Sequence, residues 1–154
     1  MYLGKQILYL RGMGAIEGKT ATFSMLEQDI LFVVMKEDAV VDIPEAKENQ
    51  EIATHLTNGN RYASLVDARA FATITSEAKE YSARPEAYVN VVAQAIIVSS
   101  LANRLIATFL IRFHKKNKNV EMKLFNDYDV ALDWLKEKLA EDKNSKKKLS
   151  LLNF

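Results

Sequence analysis

AQAIIVSSLANRLIATFLIRFHKK, residues 93–116, changes its period part-way along, and that change decides the fold. From Ala93 to Ser99 the chain is short, apolar and β-branched, as a strand covered on both faces is. From about Ser100 to Lys116 the apolar residues return at helical spacing. Placed at about 100° per residue, Ala102, Leu105, Ile106, Phe109, Leu110 and Phe113 fill one broad arc, the face expected to cover a sheet. A strand feeding a helix is a βα unit, and VEMKLF at 120–125 supplies the strand that follows. Its Val120, Met122 and Leu124 alternate with Glu121 and Lys123, which suits a position near a sheet edge with one face toward solvent.

Downstream, Asn126 is placed to cap a last helix whose Tyr128, Ala131, Leu132, Leu135 and Leu139 make one apolar stripe. Upstream, Tyr62 to Val66 reads as a short strand ending in Asp67, and Thr75 or Ser76 can cap a helix that must stop before Pro85. An earlier helix over about 43–58 is signalled by Asp42 as N-cap, Glu45 three residues on, Pro44 in the first turn and Gly59 at its end. Ile30 to Met35 is continuously apolar and belongs in mid-sheet. Residues 6–10 and 21–26 read as strands either side of a glycine-rich turn at 12–19 that carries Gly12, Gly14 and Gly18. The predicted fold class is α/β, a mixed sheet with antiparallel N-terminal strands and βα units packing helices on it. The 154 residues are expected to form one domain, with a core at about 20–140, an N-terminal strand extension at 1–19 and a C-terminal tail at 141–154. In that tail Glu141 to Lys148 reads as a solvated charge run.

Charge and composition exclude several classes of function. The 21 Lys and Arg nearly cancel the 20 Asp and Glu, so no long-range field steers nucleic acid or an anionic membrane to the protein. No cysteine is present, which removes disulfides and thiolate chemistry and fits a cytoplasmic location. The apolar run from Leu105 to Ile111 is far short of the roughly 20 residues that cross a bilayer. Arg11 and the glycines after it cut off the run from Ile7 to Leu10, so a signal peptide is not expected.

MGAIEGKT at 13–20 resembles the end of a phosphate-binding loop, but Met13 stands where the first glycine belongs and a strand follows instead of a helix. His55 and His114 fall near helix C-termini, where the macrodipole favours a cation, and neither has a carboxylate at metal-ligand spacing; no metal or cofactor is expected. No serine sits in a nucleophile elbow. Arg112, His114, Lys115, Lys116 and Lys118 offset the negative end of the long helix, and few aromatics are interleaved to stack on bases. Ala107 and Ile111 lie opposite the sheet-facing arc, and Leu149, Leu151, Leu152 and Phe154 follow a lysine run. Ala107, Ile111, Leu152 and Phe154 are therefore the candidate interface of a homo-oligomer, a dimer being the first expectation. Candidate ligand-binding residues gather at strand carboxyl ends: Asp67 and Arg69, Ser99 and Ser100, Asn126 and Asp127. Ser100 and Asn126 also suit helix caps, and Asp67 suits a pairing with Arg69.

SLVDAR at 64–69 with ITSEAKEY at 74–81, SSLANRLIATFL at 99–110 and LFNDYDVALDWL at 124–135 together resemble the SpoIIAA-like proteins of the STAS class, the anti-sigma-factor antagonist fold. The resemblance covers roughly residues 20–140 and implies a non-enzymatic module that binds a partner protein or a small apolar ligand. The chain departs from the class after Asp67, where ARAFATITS lacks the phosphoacceptor pattern; Thr73, Thr75 and Ser76 are hydroxyls in that region without the motif. The leading expectation is a regulatory or binding module, the alternative a carrier of a small apolar ligand or lipid. An enzyme built on Asp67 and Arg69 lacks a nucleophile and base at any familiar spacing.

Overall fold

Ile30–Met35 forms a central strand of a six-stranded sheet, flanked on one side by antiparallel and on the other by parallel neighbours. A computed structural model describes residues 14–27, 29–70, 73–99 and 102–153, apart from the side chains at 102–105, 107 and 108. The strand expected at 6–10, Gly12, Ser100 and Phe154, and the side chain of Ala107, lie outside the described residues. The elements are β1 (Ile16–Glu17), β2 (Ala21–Glu27), β3 (Ile30–Met35), β4 (Val40–Val41), α1 (Ile43–Thr57), β5 (Tyr62–Asp67), β6 (Thr73–Ile74), α2 (Ser76–Ser82), a 3₁₀ turn (Pro85–Tyr88), β7 (Val91–Ile97), α3 (Ala102–Lys116), β8 (Glu121–Phe125) and α4 (Tyr128–Leu152). The large sheet has the order β1-β2-β3-β5-β7-β8. β1, β2 and β3 are antiparallel, and β3, β5, β7 and β8 run parallel. The mixed α/β architecture is thus the one observed, with β8 at the edge.

Local chemistry accounts for the helix starts. Asp42 caps α1 with its carboxylate on the Ile43 N–H, and Glu45 reaches back to the Asp42 N–H at 3.0 Å. Thr75 caps α2, accepting from the Ala78 N–H at 3.1 Å while its own hydroxyl donates to Asp42 at 2.9 Å. The two helix starts are therefore tied together. α1 ends on Asn58 and Gly59, both in the left-handed region at φ 52° and 70°, a conformation that glycine adopts without strain.

Three expectations need correction. Residues 12–19 are not one turn, because Ile16 and Glu17 pair with Phe23 and Thr22 and the chain reverses only at Gly18, whose N–H donates to the Ala21 carbonyl at 2.8 Å. Asn126 is not the cap of the last helix: Asp127 is, accepting from the Val130 N–H at 2.9 Å. Its carboxylate is the stronger acceptor at a helix N-terminus. The last helix does not end with its apolar stripe at Leu139 but continues to Leu152, since no Gly or Pro interrupts it. Arg61 on Asp142 (2.6 and 3.1 Å) and Lys143 on Asp29 (2.9 Å) hold its middle against the amino ends of β5 and β3. Beyond these, the short parallel pair β4 and β6 forms a separate two-stranded sheet, and so few residues carry no periodic signal.

The two faces of the large sheet are covered differently. α4 lies along the middle of one face, where Ala131 and Leu135 pack into a continuous core with Ile30, Phe32, Leu65 and Ile97. On the other face α1 covers β2 and β3 through Ile52, Ala53 and Leu56, while α3 covers β7 and β8 through Phe109 and Phe113. One helix per flank leaves the centre of that face, along β5, without a helix directly above it.

Candidate ligand cavity

That uncovered centre is a cavity of about 310 Å³, at the small end of the usual range for ligand pockets. Its floor is Leu31 and Val33 of β3, Ser64 and Val66 of β5, and Gln94 and Ile96 of β7. Ala46 and Ala53 of α1 form one wall, and Ile106 and Phe109 of α3 form the opposite one. Tyr62 and Tyr88 also line it, and Glu86 is the one charged side chain among the described lining residues. The Tyr88 ring stands edge-on to Phe113, 4.7 Å between centroids, so the helix that forms the wall also positions the phenol.

Polar groups on this floor are unexpected for a sheet interior. Between the pairs Tyr62–Val91 and Ser64–Gln94 the register shifts by one residue, a bulge in β7 that re-aims the residues after it. It sets Gln94 beside Ser64 on the cavity face, while Ala93, Ala95 and Ile97 serve the core under α4. Ser64 is 5% exposed. Among the described residues no hydrogen bond engages the Ser64 hydroxyl, the Gln94 amide or the phenols of Tyr62 and Tyr88. Thr22 and Ser24 also lack partners but are sealed in, whereas these four groups line open space.

Burial pushes both phenols up from the usual tyrosine range, Tyr88 most strongly, and negative charge on Tyr62 adds to the effect on Tyr88. Burial penalises the phenolate, so the cavity is hostile to negative charge. Folded-state values above the unfolded one mean that this contribution to stability is complete below about pH 10 and is lost as pH rises beyond it. The urea midpoint is accordingly expected to fall between pH 9 and pH 11, and Tyr88→Phe to lessen the fall. An unchanged alkaline limb in that variant would mean that other groups control it.

The residues expected from sequence to bind ligand fall elsewhere. Parallel register brings Asp67, Ser99 and Asn126 to one carboxyl edge of the sheet, since Asp67 pairs with Ile97 and Ile97 with Phe125. None of Asp67, Arg69, Ser99, Asn126 or Asp127 lines the cavity. The Asp67 carboxylate is buried and taken up by Arg69, from Nη2 at 2.7 Å, Nε at 3.0 Å and the backbone N–H at 3.1 Å. Burial and hydrogen bonding make this a brace for the loop after β5. Ser99 is half-buried, Asn126 is exposed and Asp127 is occupied as the cap. Lys19, in the loop resembling a phosphate site, donates to Glu45 at 2.7 Å, and its N–H donates to Glu48. Arg112 and Lys116 both pair with Glu80 and hold its carboxylate below the usual range, the Lys116 hydrogen bond most. Ile111 is 69% and Leu152 71% exposed, on helices of opposite layers, so the two do not make one patch. Sequence reasoning missed Gln94 and Ser64. The available signal was a lone Gln inside the apolar run VVAQAIIV, residues 91–98.

Fold and cavity together define an α/β domain with a mixed sheet and an apolar pocket fitted with neutral polar groups. The chain belongs to the family described as a domain of unknown function, DUF7793, which matches residues 24–139. That span runs from β2 into α4 and holds every cavity-lining residue named here. No curated protein and no solved structure matches the chain. Among the described residues no helix is long and apolar enough to cross a membrane.

Proposed function

We propose that this chain is a non-enzymatic binding module of the SpoIIAA-like type, acting as a receptor or carrier for a small apolar ligand. The observation that carries the reading is the cavity between α1, α3 and the sheet, apolar in most of its lining and about 310 Å³ in volume. An engineered apolar cavity of about 150 Å³ takes up benzene, so a two-ring or similarly sized molecule fits here. The resemblance of the strings around Asp67, Ser99 and Phe125 to the STAS class supports a regulatory use of such binding. The loop after Asp67, without the phosphoacceptor pattern, favours a ligand over a phosphate as the signal. A cytoplasmic location and self-association complete the proposal, the latter favoured by the exposed Ile111, Leu149, Leu151 and Leu152.

Native mass spectrometry of the purified protein reports bound ligand and assembly together, and titration calorimetry with 2-ethylnaphthalene tests the cavity directly. Ala53→Trp, which fills the cavity from α1, is expected to weaken probe binding at least about tenfold, equivalent to about 1.4 kcal/mol. Ala87→Phe does the same from the 3₁₀ turn if the first variant disturbs folding. A dimer is expected, weakened by removal of residues 149–154. Probe affinity unchanged in both plugged variants would place the binding outside the cavity.

A further inference from the structure

The unpaired polar atoms of the cavity define the ligand's chemistry, an inference that rests on the binding reading above. We propose that the cavity takes an uncharged ligand with an apolar ring or chain and one carbonyl or hydroxyl oxygen, held by Ser64 and Gln94 on the floor and by the phenols of Tyr62 and Tyr88. Scaling from a cavity of about 150 Å³ that binds benzene, the body has about twelve non-hydrogen atoms.

Three observations lead there. First, the four groups are neutral donors and acceptors with no hydrogen-bond partner among the described residues, and they line the open cavity rather than being sealed in as Thr22 and Ser24 are. Neutral groups free to donate and accept along one cavity lining suit a ligand oxygen, or water when the site is empty. Second, the bulge in β7 turns Gln94 onto this face opposite Ser64. On the other face of the same strands the corresponding positions are Ala63, Leu65, Ala93 and Ala95, all apolar. The polar pair is therefore confined to the side where there is space. Third, charge is disfavoured. No Lys, Arg or His is among the described lining residues to compensate an anion, and Glu86, exposed to water, is the single charge present. The raised phenols of Tyr62 and Tyr88 report the same penalty on negative charge. A cation would need a buried carboxylate, and none is present among the described lining residues.

Four probes of nearly equal size separate the possibilities: 2-ethylnaphthalene, 2-acetylnaphthalene, 2-naphthoate and 2-naphthylmethylammonium, titrated calorimetrically at pH 7. The ketone is expected to bind at least about tenfold more tightly than the hydrocarbon and than either ion, since it alone meets several neutral donors without desolvating a charge. Tyr88→Phe and Gln94→Leu are each expected to weaken the ketone roughly 2- to 12-fold, one neutral hydrogen bond apiece, and to leave the hydrocarbon unchanged. Equal binding of ketone and hydrocarbon, preference for the carboxylate or the ammonium, or ketone binding unaffected by both variants overturns the assignment while leaving the cavity as the binding site. Failure of all four probes to bind the unmodified protein overturns the binding reading itself.

Discussion

Phe113→Ala is expected to destabilise the fold by about 3–5 kcal/mol, the range for removing a large buried aromatic side chain. Phe113 is fully buried and closes the cluster between α3 and β8 with Phe109, Ile96 and Met122. Its ring faces both Tyr88 and Phe109, and the next turn is fixed by Asn117, whose amide donates to the Ala83 and Phe113 carbonyls at 2.7 and 3.2 Å. Removing the ring leaves a void beside Tyr88 as well as a transfer loss, so ligand affinity falls together with stability. Urea unfolding followed by circular dichroism measures the first effect. Lys115→Ala, on the exposed side of the same helix, serves as control and is expected to change stability by no more than about 0.5 kcal/mol. A loss below 1 kcal/mol for Phe113→Ala would mean that α3 is not seated on the sheet through this residue.

Leu135→Asp is expected to prevent folding altogether. Leu135 is fully buried under the centre of α4, against Leu65, Ala95 and Ile97. A carboxylate there would sit among apolar side chains, and an unpaired buried charge costs several kcal/mol in addition to the lost leucine. Against a total stability of about 5–15 kcal/mol for a domain, that is enough to populate the unfolded chain. Leu149→Asp, in the exposed carboxyl-terminal part of the same helix, is expected to leave the chain folded. Amide chemical-shift dispersion distinguishes the two variants, and a well-dispersed spectrum for Leu135→Asp would refute the placement of α4.

The elements that could be read from the residues were those whose causes are local. Asp42, Pro44 and Glu45 announce α1 within four residues of chain, and Thr75 with Pro85 brackets α2, so both helices fall where their caps predict. The apolar run Ile30–Met35 identifies a central strand for the same reason. The cavity was not legible, because it exists only where α1 and α3 cover different flanks of one face, and no stretch of sequence records which flank a helix will choose. The strand-end polar groups were prominent in sequence, yet Asp67 is used up by Arg69 and Asp127 by the Val130 N–H. Conversely Gln94 faces the cavity through a bulge that strand periodicity, a strict alternation, does not anticipate.

The parallel half of the sheet also fixes the order in which the chain can become self-supporting. Each parallel pairing joins residues on either side of a helix, Ile30 with Ala63, Ser64 with Gln94, Ala93 with Glu121, and such distant pairings form slowly compared with hairpins. α4, the last element in the sequence, is what covers Phe32, Leu65 and Ile97. During synthesis, until α4 has left the ribosome, those side chains lack the helix that covers them. The growing polypeptide therefore passes through a stage in which Phe32, Leu65 and Ile97 lack their helix, and it is to that stage that chaperone capture is matched.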